Sequence, residues 1–376
     1  MKVAWLGSGF INRPASGTAQ TARKAIVNLS NNYQDVEITV LVKSEHELKI
    51  ALTDPDLSKC KILLMDSRKR RFLSSSRQFY RFCWENKKKE IFDIIHFSVP
   101  RVYPFFYFFP AKKFVATFHA GGDVTVPADK FVLSRHIYNI IIKIQWKKFD
   151  AIIGDSNFAV GEISQAYKIP VDKILKVLLG ADNLWGLSEL NPSNKLRNIV
   201  IVGRWQKYKN VHTALMAVLN LNKKLENPFK VILIGKTNQL GNNLVQNVVN
   251  KYKGENIQII DYLSDQKLAD AYRESTIVIH PSINEGFGLP AFEAFGEGAN
   301  LIVHNTTPAA ELLTRFQGVI AENLEKVEGI EKALIRALPI DTALIHERRA
   351  FIDSIGATWN SMAANYYSIY KKLQSN

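Results

Sequence analysis

Short runs of β-branched and aromatic residues recur along this chain, and segments with helical hydrophobic periodicity separate them. Such runs are typical of strands buried inside a parallel sheet. They occur at Val3–Leu6, Val36–Val42, Ile62–Met65, Asp93–Phe97, Phe114–Phe118 and Ala151–Gly154 in the first half, and at Ile199–Val202, Val231–Ile234, Ile257–Ile260, Ile277–His280 and Leu301–His304 in the second. Strands that alternate with helices indicate βαβ units with helices on both faces of a parallel sheet.

The predicted helices lie between these strands. Their ranges are 18–29, 131–146, 157–167, 211–224, 240–251, 265–274, 290–297 and 358–373. Residues 177–198, which include Gly, Asn and Pro, separate the two runs and are predicted to link two domains. We therefore predict two Rossmann-like domains facing a cleft, at 1–180 and 181–357, and a terminal helix at 358–376 that crosses back to the first domain. Ligands of such sheets bind at the carboxyl ends of the strands.

Composition excludes several classes of protein. Hydrophobic residues make up 47 % of the 376 residues and charged residues 22 %, which is ordinary globular usage. The two cysteines, Cys60 and Cys83, cannot form a disulfide framework or a zinc ribbon, so a reducing compartment fits. No apolar run approaches the ~20 residues of a membrane-spanning helix, and Met1-Lys2 leads directly into a predicted strand without the apolar core of a signal peptide. We expect a cytoplasmic or membrane-surface protein.

The formal net charge of +14 is unevenly distributed. Residues 1–180 contain 28 Lys and Arg against 16 Asp and Glu, whereas residues 181–376 contain 21 against 19. Basic residues alternate with aromatic ones between Arg68 and Lys89, and the aromatic run Val102–Pro110 follows. Such a pattern favours an anionic partner, either nucleic acid or a lipid surface, although a solvated lysine-rich face remains an alternative.

The segment His280–Glu297, HPSINEGFGLPAFEAFGE, combines a buried strand, a turn with two glycines and a predicted helix. Pro290 suits the first turn of that helix because its missing N–H has no partner there in any case. The free N–H groups and the positive end of the helix dipole predict a phosphate site. Glu285 and Glu293 flank this helix start. Because carboxylates repel an anion, we expect them to bind sugar or ribose hydroxyls instead.

This segment resembles the glutamate–seven–glutamate motif of the retaining glycosyltransferases of family four, which have the GT-B fold. Five further elements resemble that family. They are Val202-Gly203-Arg204 followed by Lys209-Asn210, the run into His280-Pro281-Ser282, Phe114–His119, in which a strand ends at a histidine, the loop Gly7–Gly17 after the first strand, and the terminal helix with Trp359, Tyr366 and Tyr370. The resemblance covers most of the chain and is strongest over 199–311. It implies an acceptor-binding first domain and a nucleotide-sugar-binding second domain.

The resemblance also implies roles for individual residues. Arg204 and Lys209 are expected to hold the donor diphosphate and to stabilise it as it leaves. Glu285 and His119 are expected to contact the donor sugar near the reacting carbon. Further donor-binding residues implied by the family pattern are Gly17, Tyr262, Gly286, Phe287, Gly288, Leu289 and Glu293.

The family pattern thus predicts a retaining transferase that moves a sugar from a nucleotide-diphosphate donor to a hydroxyl of a glycan or lipid-linked acceptor. Synthesis of a bacterial surface polysaccharide such as O-antigen, capsule or lipopolysaccharide is the expected pathway. We expect no cofactor, no metal and no nucleic acid, and a location on the inner face of the cytoplasmic membrane. The chain departs from the family in the first loop, which has Gly17 after Ser16 where a glycine pair is usual, and at Asp261, where a glycine often stands.

Four alternatives stay open at this point. Asp54-Pro55-Asp56 matches the metal-binding DxD signature of other glycosyltransferases, although its polar context favours a turn. Gly7–Asn12 begins like a dinucleotide fingerprint but lacks the third glycine. A nucleotide-sugar epimerase would share the two-domain scaffold, and so would a non-catalytic protein that binds glycan or nucleic acid.

Overall fold

A computed structural model describes residues 1–6, 17–42, 44–65, 75–86, 91–98, 105–119, 132–189, 191, 195–235, 239–252, 254–337 and 345–375. The chain divides into two compact units. The first unit comprises Met1–Leu179 and Trp359–Asn376, and the second comprises Gly180–Thr358. Each contains one parallel sheet with helices packed against it. The predicted fold class, two α/β units with parallel sheets, is confirmed.

The first unit has a seven-stranded sheet in the described residues, with the strand order β3-β2-β1-β4-β5-β6-β7. Every strand pair is parallel, so all carboxyl ends lie at one edge of the sheet. The order reverses between β1 and β4, which defines a topological switch point. The strands are β1 (Lys2–Leu6), β2 (Glu37–Val42), β3 (Lys61–Leu64), β4 (Phe92–Phe97), β5 (Ala111–Phe118), β6 (Ala151–Gly154) and β7 (Ile174–Lys176).

Helices α1 (Gly17–Asn32), α2 (Glu45–Thr53), α3 (Ser75–Asn86), α4 (Val132–Gln145), α5 (Asn157–Tyr167) and α13 (Trp359–Ser375) complete this unit. The terminal helix α13 buries the side chains of Trp359, Met362, Tyr366 and Tyr370, which recur with helical spacing. It packs on α1, where Tyr367 stacks on Tyr33 with ring centroids 3.9 Å apart.

The second unit has a six-stranded sheet in its described part, with the order β10-β9-β8-β11-β12-β13 and parallel pairing throughout. Its order reverses between β8 and β11. The strands are β8 (Leu196–Val202), β9 (Lys230–Ile234), β10 (Ile257–Ile260), β11 (Ser275–His280), β12 (Asn300–His304) and β13 (Val319–Glu322). The helices are α6 (Val211–Asn222), α7 (Gln239–Lys251), α8 (Asp265–Glu274), α9 (Leu289–Gly296), α10 (Pro308–Leu313), α11 (Val327–Ala337) and α12 (Ile345–Ser354).

Buried charges join α8, α9 and α12 in the second unit. The Glu297 carboxylate, which is fully buried, pairs with Arg273 from α8 and with Arg349 from α12, the latter at 2.6 Å. Arg348 is also fully buried and donates to the carbonyl oxygens of Ala299, at 2.7 Å, and Gln317, at 2.8 Å. Because a buried cation is costly unless its donors are bonded, these contacts fix the end of α9 and the chain segment after it.

The strands predicted from sequence agree with the observed ones to within a few residues, but β7 and β13 were not predicted. Both are short, and β7 exposes two of its three residues, so neither forms a continuous apolar run. Helix α9 begins at Leu289, one residue before the predicted start. Among the described helices, none combines the length and the apolar composition required to cross a membrane.

Candidate functional site

The carboxyl ends of β8 and β11, at the switch point of the second unit, carry the predicted site. After β8 the chain passes through Gly203 and Arg204 into a short 3-10 helix, Lys207–Lys209. Asn210 then takes a left-handed conformation and begins α6. The Asn210 amide donates to the Leu324 carbonyl oxygen, and Thr213 donates to the Asn210 side-chain oxygen at 2.6 Å. These bonds hold the loop that positions Lys209.

Two glycines allow the ends of β8 and β9 to approach each other closely. Gly203 donates its N–H to the Ile234 carbonyl oxygen at 3.0 Å, and Gly203 and Gly235 both have φ of 150°. A Cβ atom added to Gly235 would lie 2.1 Å from the Gly203 carbonyl oxygen. Only glycine fits at position 235, and the carboxyl end of this sheet is therefore packed backbone against backbone.

The turn after β11 leads into α9. Gly288 has φ of 92° and caps the helix, and a Cβ atom there would lie 3.3 Å from Glu285 Cγ and 3.7 Å from His280 Nε2. Phe287 stacks on Phe292, with ring centroids 4.3 Å apart. Within the described part of the chain, the backbone N–H groups of Phe287, Gly288 and Leu289 have no acceptor. They supply the donors that an oxyanion needs at a helix start.

Three charged or titratable groups meet beside this helix start. The Lys209 ammonium pairs with Oε2 of Glu285, and His280 Nε2 lies 3.6 Å from the same oxygen. His280 Nδ1 donates to the Val202 carbonyl oxygen at 3.4 Å, which ties the ring to the end of β8. Burial opposes ionisation of Glu285, but Lys209 and His280 outweigh it and hold the pKa of Glu285 well below its usual range. Glu285 is therefore an acceptor at neutral pH.

Glu293, the other glutamate of the motif, has a different environment. It lies on α9 with 6 % of its surface exposed, and burial raises its pKa to about 7. A hydrogen bond from Asn183 opposes this rise, and the nearby Asp265 adds to it. Near neutral pH the Glu293 carboxyl is therefore partly protonated and can donate as well as accept a hydrogen bond.

Four further predicted site residues are divided between the two units, three in the second and one in the first. Arg204 is exposed directly after Gly203. Tyr262 follows β10 at the same carboxyl edge of the second sheet and is 74 % exposed. Gly17 begins α1 in the first unit and is exposed. Gly286, between Glu285 and Phe287, is buried.

In the first unit, His119 directly follows β5 at the carboxyl edge of the sheet, as predicted. Its Nδ1 lies 3.1 Å from Oδ2 of Asp155, the residue that directly follows β6. Both side chains are buried, with 5 % and 3 % of their surfaces exposed. Ser156 accepts a hydrogen bond from the Ala159 N–H at 2.9 Å and so caps α5, which fixes the backbone next to Asp155.

A second buried histidine, His96 on β4, is held from both sides. Its Nδ1 bonds the Tyr370 hydroxyl, and its Nε2 bonds the Thr117 hydroxyl at 2.8 Å. Thr117 in turn bonds the Tyr366 hydroxyl at 3.3 Å. Burial lowers the pKa of His96 to about 3, and proximity to His119 adds to this effect. His96 is therefore neutral and joins α13 to the sheet.

Asp54 and Asp56 of the DxD sequence form a turn, as their context favours. Asp54 ends α2 and begins a 3-10 helix, Pro55–Leu57. Arg23 donates to both carboxylates, at 2.8 Å to Asp54 Oδ1 and 2.6 Å to Asp56 Oδ2. The described residues contain no group of three or more metal-ligating side chains. Gly7–Asn12 lies outside the described residues, and so do residues 68–74 and 87–89 of the basic and aromatic segment between Arg68 and Lys89.

Two residues at these sites were not predicted, His280 and Asp155. His280 ends a predicted strand just before the motif and was identified only as part of the family pattern. Asp155 could have been found from strand order, because Phe118 of β5 pairs with Gly154 of β6 and the next residues are His119 and Asp155. That pairing needs the order of the sheet, which the local sequence does not supply.

Comparison with known proteins finds a family model and several relatives that the chain resembles. Residues 188–353 match the model of glycosyl transferases group 1. The chain is 24 % identical over 237 residues to the O-antigen chain mannosyltransferase B of Escherichia coli, covering 59 % of this chain and 60 % of that protein. It is 23 % identical over 214 residues to the O-antigen chain mannosyltransferase RfbU of Salmonella typhimurium, covering 56 % and 58 %. The chain thus spans less than two thirds of these relatives.

Solved structures of low sequence identity share the fold. A sucrose-phosphate synthase from Thermosynechococcus elongatus superposes with a TM-score of 0.74 at 15 % identity, covering 100 % of this chain and 99 % of that one. A glycosyltransferase from Rickettsia africae gives a TM-score of 0.70 at 20 % identity, again covering 100 % and 99 %. Anabaena HepE in complex with UDP and glucose gives 0.64 at 14 % identity, covering 100 % and 98 %. The chain therefore shares the GT-B fold of these proteins.

Proposed function

We propose that this chain belongs to the glycosyl transferases group 1 family, whose model matches residues 188–353. In this proposal it transfers a sugar from a nucleotide-diphosphate donor to a hydroxyl of a glycan or lipid-linked acceptor in bacterial surface polysaccharide synthesis. Two relatives are O-antigen chain mannosyltransferases, which favours mannose as the sugar and O-antigen as the product. One observation carries the proposal. Lys209, Glu285 and the free N–H groups of residues 287–289 converge where β8 and β11 end.

This arrangement suits a sugar diphosphate for electrostatic reasons. The Lys209 ammonium and the N–H groups at the start of α9 would bind the two phosphates, with Arg204 as a second cation. Glu285, which is ionised, would accept hydrogen bonds from sugar hydroxyls. Glu293 would bind the ribose hydroxyls, and the exposed ring of Tyr262 would stack on the base. In the first unit, His119 would contact the sugar and Gly17 would lie in the donor loop.

We propose that transfer retains the anomeric configuration. The bond between the anomeric carbon and the phosphate oxygen breaks, and the acceptor oxygen bonds to the same face of that carbon. The acceptor proton passes to the departing phosphate, so the protein need not supply a base. Nuclear magnetic resonance of the product tests this proposal. An α-linked product from an α-linked donor supports it, and a β-linked product contradicts it.

We also propose that the reaction requires no metal ion. Lys209, Arg204 and the positive end of α9 would together compensate the charge of the leaving diphosphate, which is the task of a metal ion in other transferases. Full activity in excess chelator would support this proposal. Activity that chelator abolishes and Mn²⁺ restores would contradict it.

Donor and acceptor can be identified in one assay. The chain is incubated with UDP-, GDP-, dTDP- and ADP-sugars, with and without lipid-linked acceptors, and the products are separated by mass. Transfer from a mannose-bearing donor to the acceptor is the expected result. A changed nucleotide sugar without acceptor would indicate an epimerase, and binding without any product would indicate a non-catalytic protein.

We propose that the first unit docks on the anionic inner face of the cytoplasmic membrane. Phe105 and Phe108 beside β5, and Ile140 and Ile144 on one face of α4, are each at least 50 % exposed. The Phe105 N–H donates to the Gln145 side chain at 3.2 Å, so these two segments adjoin. The exposed lysines at 143, 147 and 148 lie around them, and residues 131–149 contain no acidic residue. Aromatic, aliphatic and basic side chains together suit a lipid headgroup region.

Vesicle sedimentation tests this docking surface. The protein should pellet with vesicles that contain anionic lipid, less so as salt is raised, and remain in solution with neutral vesicles. The variant Lys147→Gln/Lys148→Gln should weaken binding, whereas the matched control Lys224→Gln/Lys267→Gln, on the second unit, should not. Equal binding to neutral and anionic vesicles would contradict the electrostatic argument.

A further inference from the structure

We infer that Asp155 positions the His119 ring so that its Nε2 accepts a hydrogen bond from a sugar hydroxyl at the carboxyl edge of the first unit's sheet. The two residues follow neighbouring parallel strands that are paired to their ends, Phe118 opposite Gly154. The 3.1 Å contact between His119 Nδ1 and Asp155 Oδ2 lies within a site that is more than nine-tenths buried.

Each side chain of this pair has one polar atom without a partner. No described residue bonds His119 Nε2 or Asp155 Oδ1, although both atoms are buried. The neighbouring His96 shows the contrast, because both of its ring nitrogens are bonded by hydroxyl groups. A buried polar atom without a partner is costly because it has lost its hydrogen bonds to water, so native proteins normally satisfy it with protein, water or ligand. The two atoms therefore indicate a place for ligand hydroxyls.

The chemistry of the pair determines what it would bind. An ionised carboxylate only accepts hydrogen bonds, so the proton of the contact belongs to His119 Nδ1. In the tautomer that has its proton on Nδ1, Nε2 carries the lone pair, and both unpartnered atoms are then acceptors. Two adjacent acceptors attract O–H donors and repel phosphate oxygens. A sugar hydroxyl fits these requirements, and a free phosphate does not.

This inference rests on the proposed glycosyl transfer for its ligand, while the role of Asp155 rests on the geometry alone. Asp155 is a positioning residue, because it acts through the tautomer and orientation of His119. In Asp155→Asn, the amide can donate to the ring as well as accept from it, so the ring loses its preference for Nδ1–H. We expect kcat/KM to fall by about 10- to 100-fold, the size of a lost charge-assisted hydrogen bond.

The test compares Asp155→Asn with Asp172→Asn, a matched change at an exposed aspartate of the same unit. Nitrogen-15 resonance of the His119 ring, assigned by its loss in His119→Gln, should show a protonated Nδ1 in the wild type and in Asp172→Asn, and a mixture in Asp155→Asn. Melting curves identify any variant that fails to fold. The double variant Asp155→Asn/His119→Gln should be no slower than His119→Gln alone, because the effect passes through the ring.

Two kinetic arms identify which substrate carries the hydroxyl. If the donor sugar carries it, Asp155→Asn should slow hydrolysis of the donor without acceptor. If the acceptor carries it, donor hydrolysis should be unchanged and the acceptor KM should rise. Turnover of Asp155→Asn equal to that of Asp172→Asn, or a wild-type ring protonated on Nε2, would overturn the inference. If the wild type transfers no sugar, the proposed function fails. The response of the Nε2 resonance to free mannose or glucose then decides the inference, and an unchanged resonance overturns it.

Discussion

The carboxyl edges of the two sheets carry opposite kinds of polar groups. In the second unit, Lys209 and His280 surround the Glu285 carboxylate, and free N–H donors lie next to them. In the first unit, His119 and Asp155 share one hydrogen bond. The two other polar atoms of the pair, His119 Nε2 and Asp155 Oδ1, have no partner among the described residues and are the acceptors inferred above. The same strand order thus supports an edge with ammonium and backbone N–H donors in one unit and an acceptor-rich edge in the other. The first edge suits a diphosphate, and the second suits neutral hydroxyls.

The largest expected effect is that of Lys209→Ala. Removing the cation that would stabilise the leaving diphosphate should lower kcat by about 100- to 1,000-fold, as losing one fixed transition-state contact does elsewhere. Lys207→Ala, in the same 3-10 helix, is the matched control and should retain most activity. Steady-state kinetics of both variants measures the difference. Equal losses in the two variants would remove the special role of Lys209 and with it the contrast between the edges.

A substitution at Gly235 tests whether backbone packing builds the donor-rich edge of the second unit. Gly235→Ala should reduce the free energy of unfolding by about 2–4 kcal/mol, because the methyl group meets the Gly203 carbonyl oxygen and the backbone has a positive φ. Gly161→Ala, on α5, is the control. A Cβ atom at position 161 has no neighbour within 4 Å, so this substitution should raise the free energy of unfolding by about 0.5–1 kcal/mol. Urea unfolding measures both variants. An unchanged free energy of unfolding in Gly235→Ala would contradict the close approach of Gly235 to Gly203.

The two glutamates of the motif should affect stability with opposite dependence on pH. The folded pKa of Glu293, about 7, exceeds the ordinary value of 4.5, so the native state keeps a proton that the unfolded state releases. Wild-type stability should therefore fall as pH rises from about 4.5 to 7. Glu293→Gln should remove this loss. Its free energy of unfolding should exceed that of the wild type by up to about 3 kcal/mol at pH 8 and should differ little at pH 4.

Glu285 sharpens this comparison, because its pKa is lowered in the folded state. Its contribution to stability is present above the ordinary pKa and is lost as pH falls through the folded value. Glu285→Gln should therefore lower the free energy of unfolding at pH 7, and this decrease should become smaller in acid. Urea unfolding of both variants from pH 3 to pH 8 measures the two profiles. Profiles of the same sign would contradict the assigned environments.

The smallest effect is expected at the DxD sequence. Asp56, which is about half exposed, pairs with Arg23, and exposed pairs contribute less than about 1 kcal/mol. Asp56→Asn should leave the transfer rate unchanged, with or without Mn²⁺, and should lower the melting temperature slightly. A collapse of activity that Mn²⁺ rescues would restore the metal-binding alternative.

Sequence patterns were sufficient for those parts of the molecule that depend on local chemistry. Buried parallel strands such as Ile277–Ile279 are continuous apolar runs, and the turn and helix after them lie within one short motif. Helix α2 also has a local sequence signal, because Ser44 accepts a hydrogen bond from the Glu47 N–H in a capping-box sequence. It was not predicted, because the residues around it are polar. The motif and the family pattern together predicted Glu285, Glu293 and the start of α9.

The sequence alone did not predict the side-chain contacts that depend on which strands lie next to each other. Lys209 and Glu285 are 76 residues apart, and only the adjacency of β8 and β11 brings them together. His119 and Asp155 are 36 residues apart and meet through the register of β5 and β6. The different ionisation of Glu285 and Glu293 depends on burial and on neighbouring charges. Periodicity does not report either quantity.

The position of α13 has a consequence for synthesis of the protein on the ribosome. The first unit is completed only when Tyr366 and Tyr370 reach Thr117 and His96, whereas all of the second unit emerges before that helix does. The segment translated second can therefore fold first, whereas Nδ1 of His96 in the segment translated first gains its partner only when α13 emerges. Nascent chains stalled before residue 359 should expose that face to chaperones, and truncations of the last helix should yield insoluble protein.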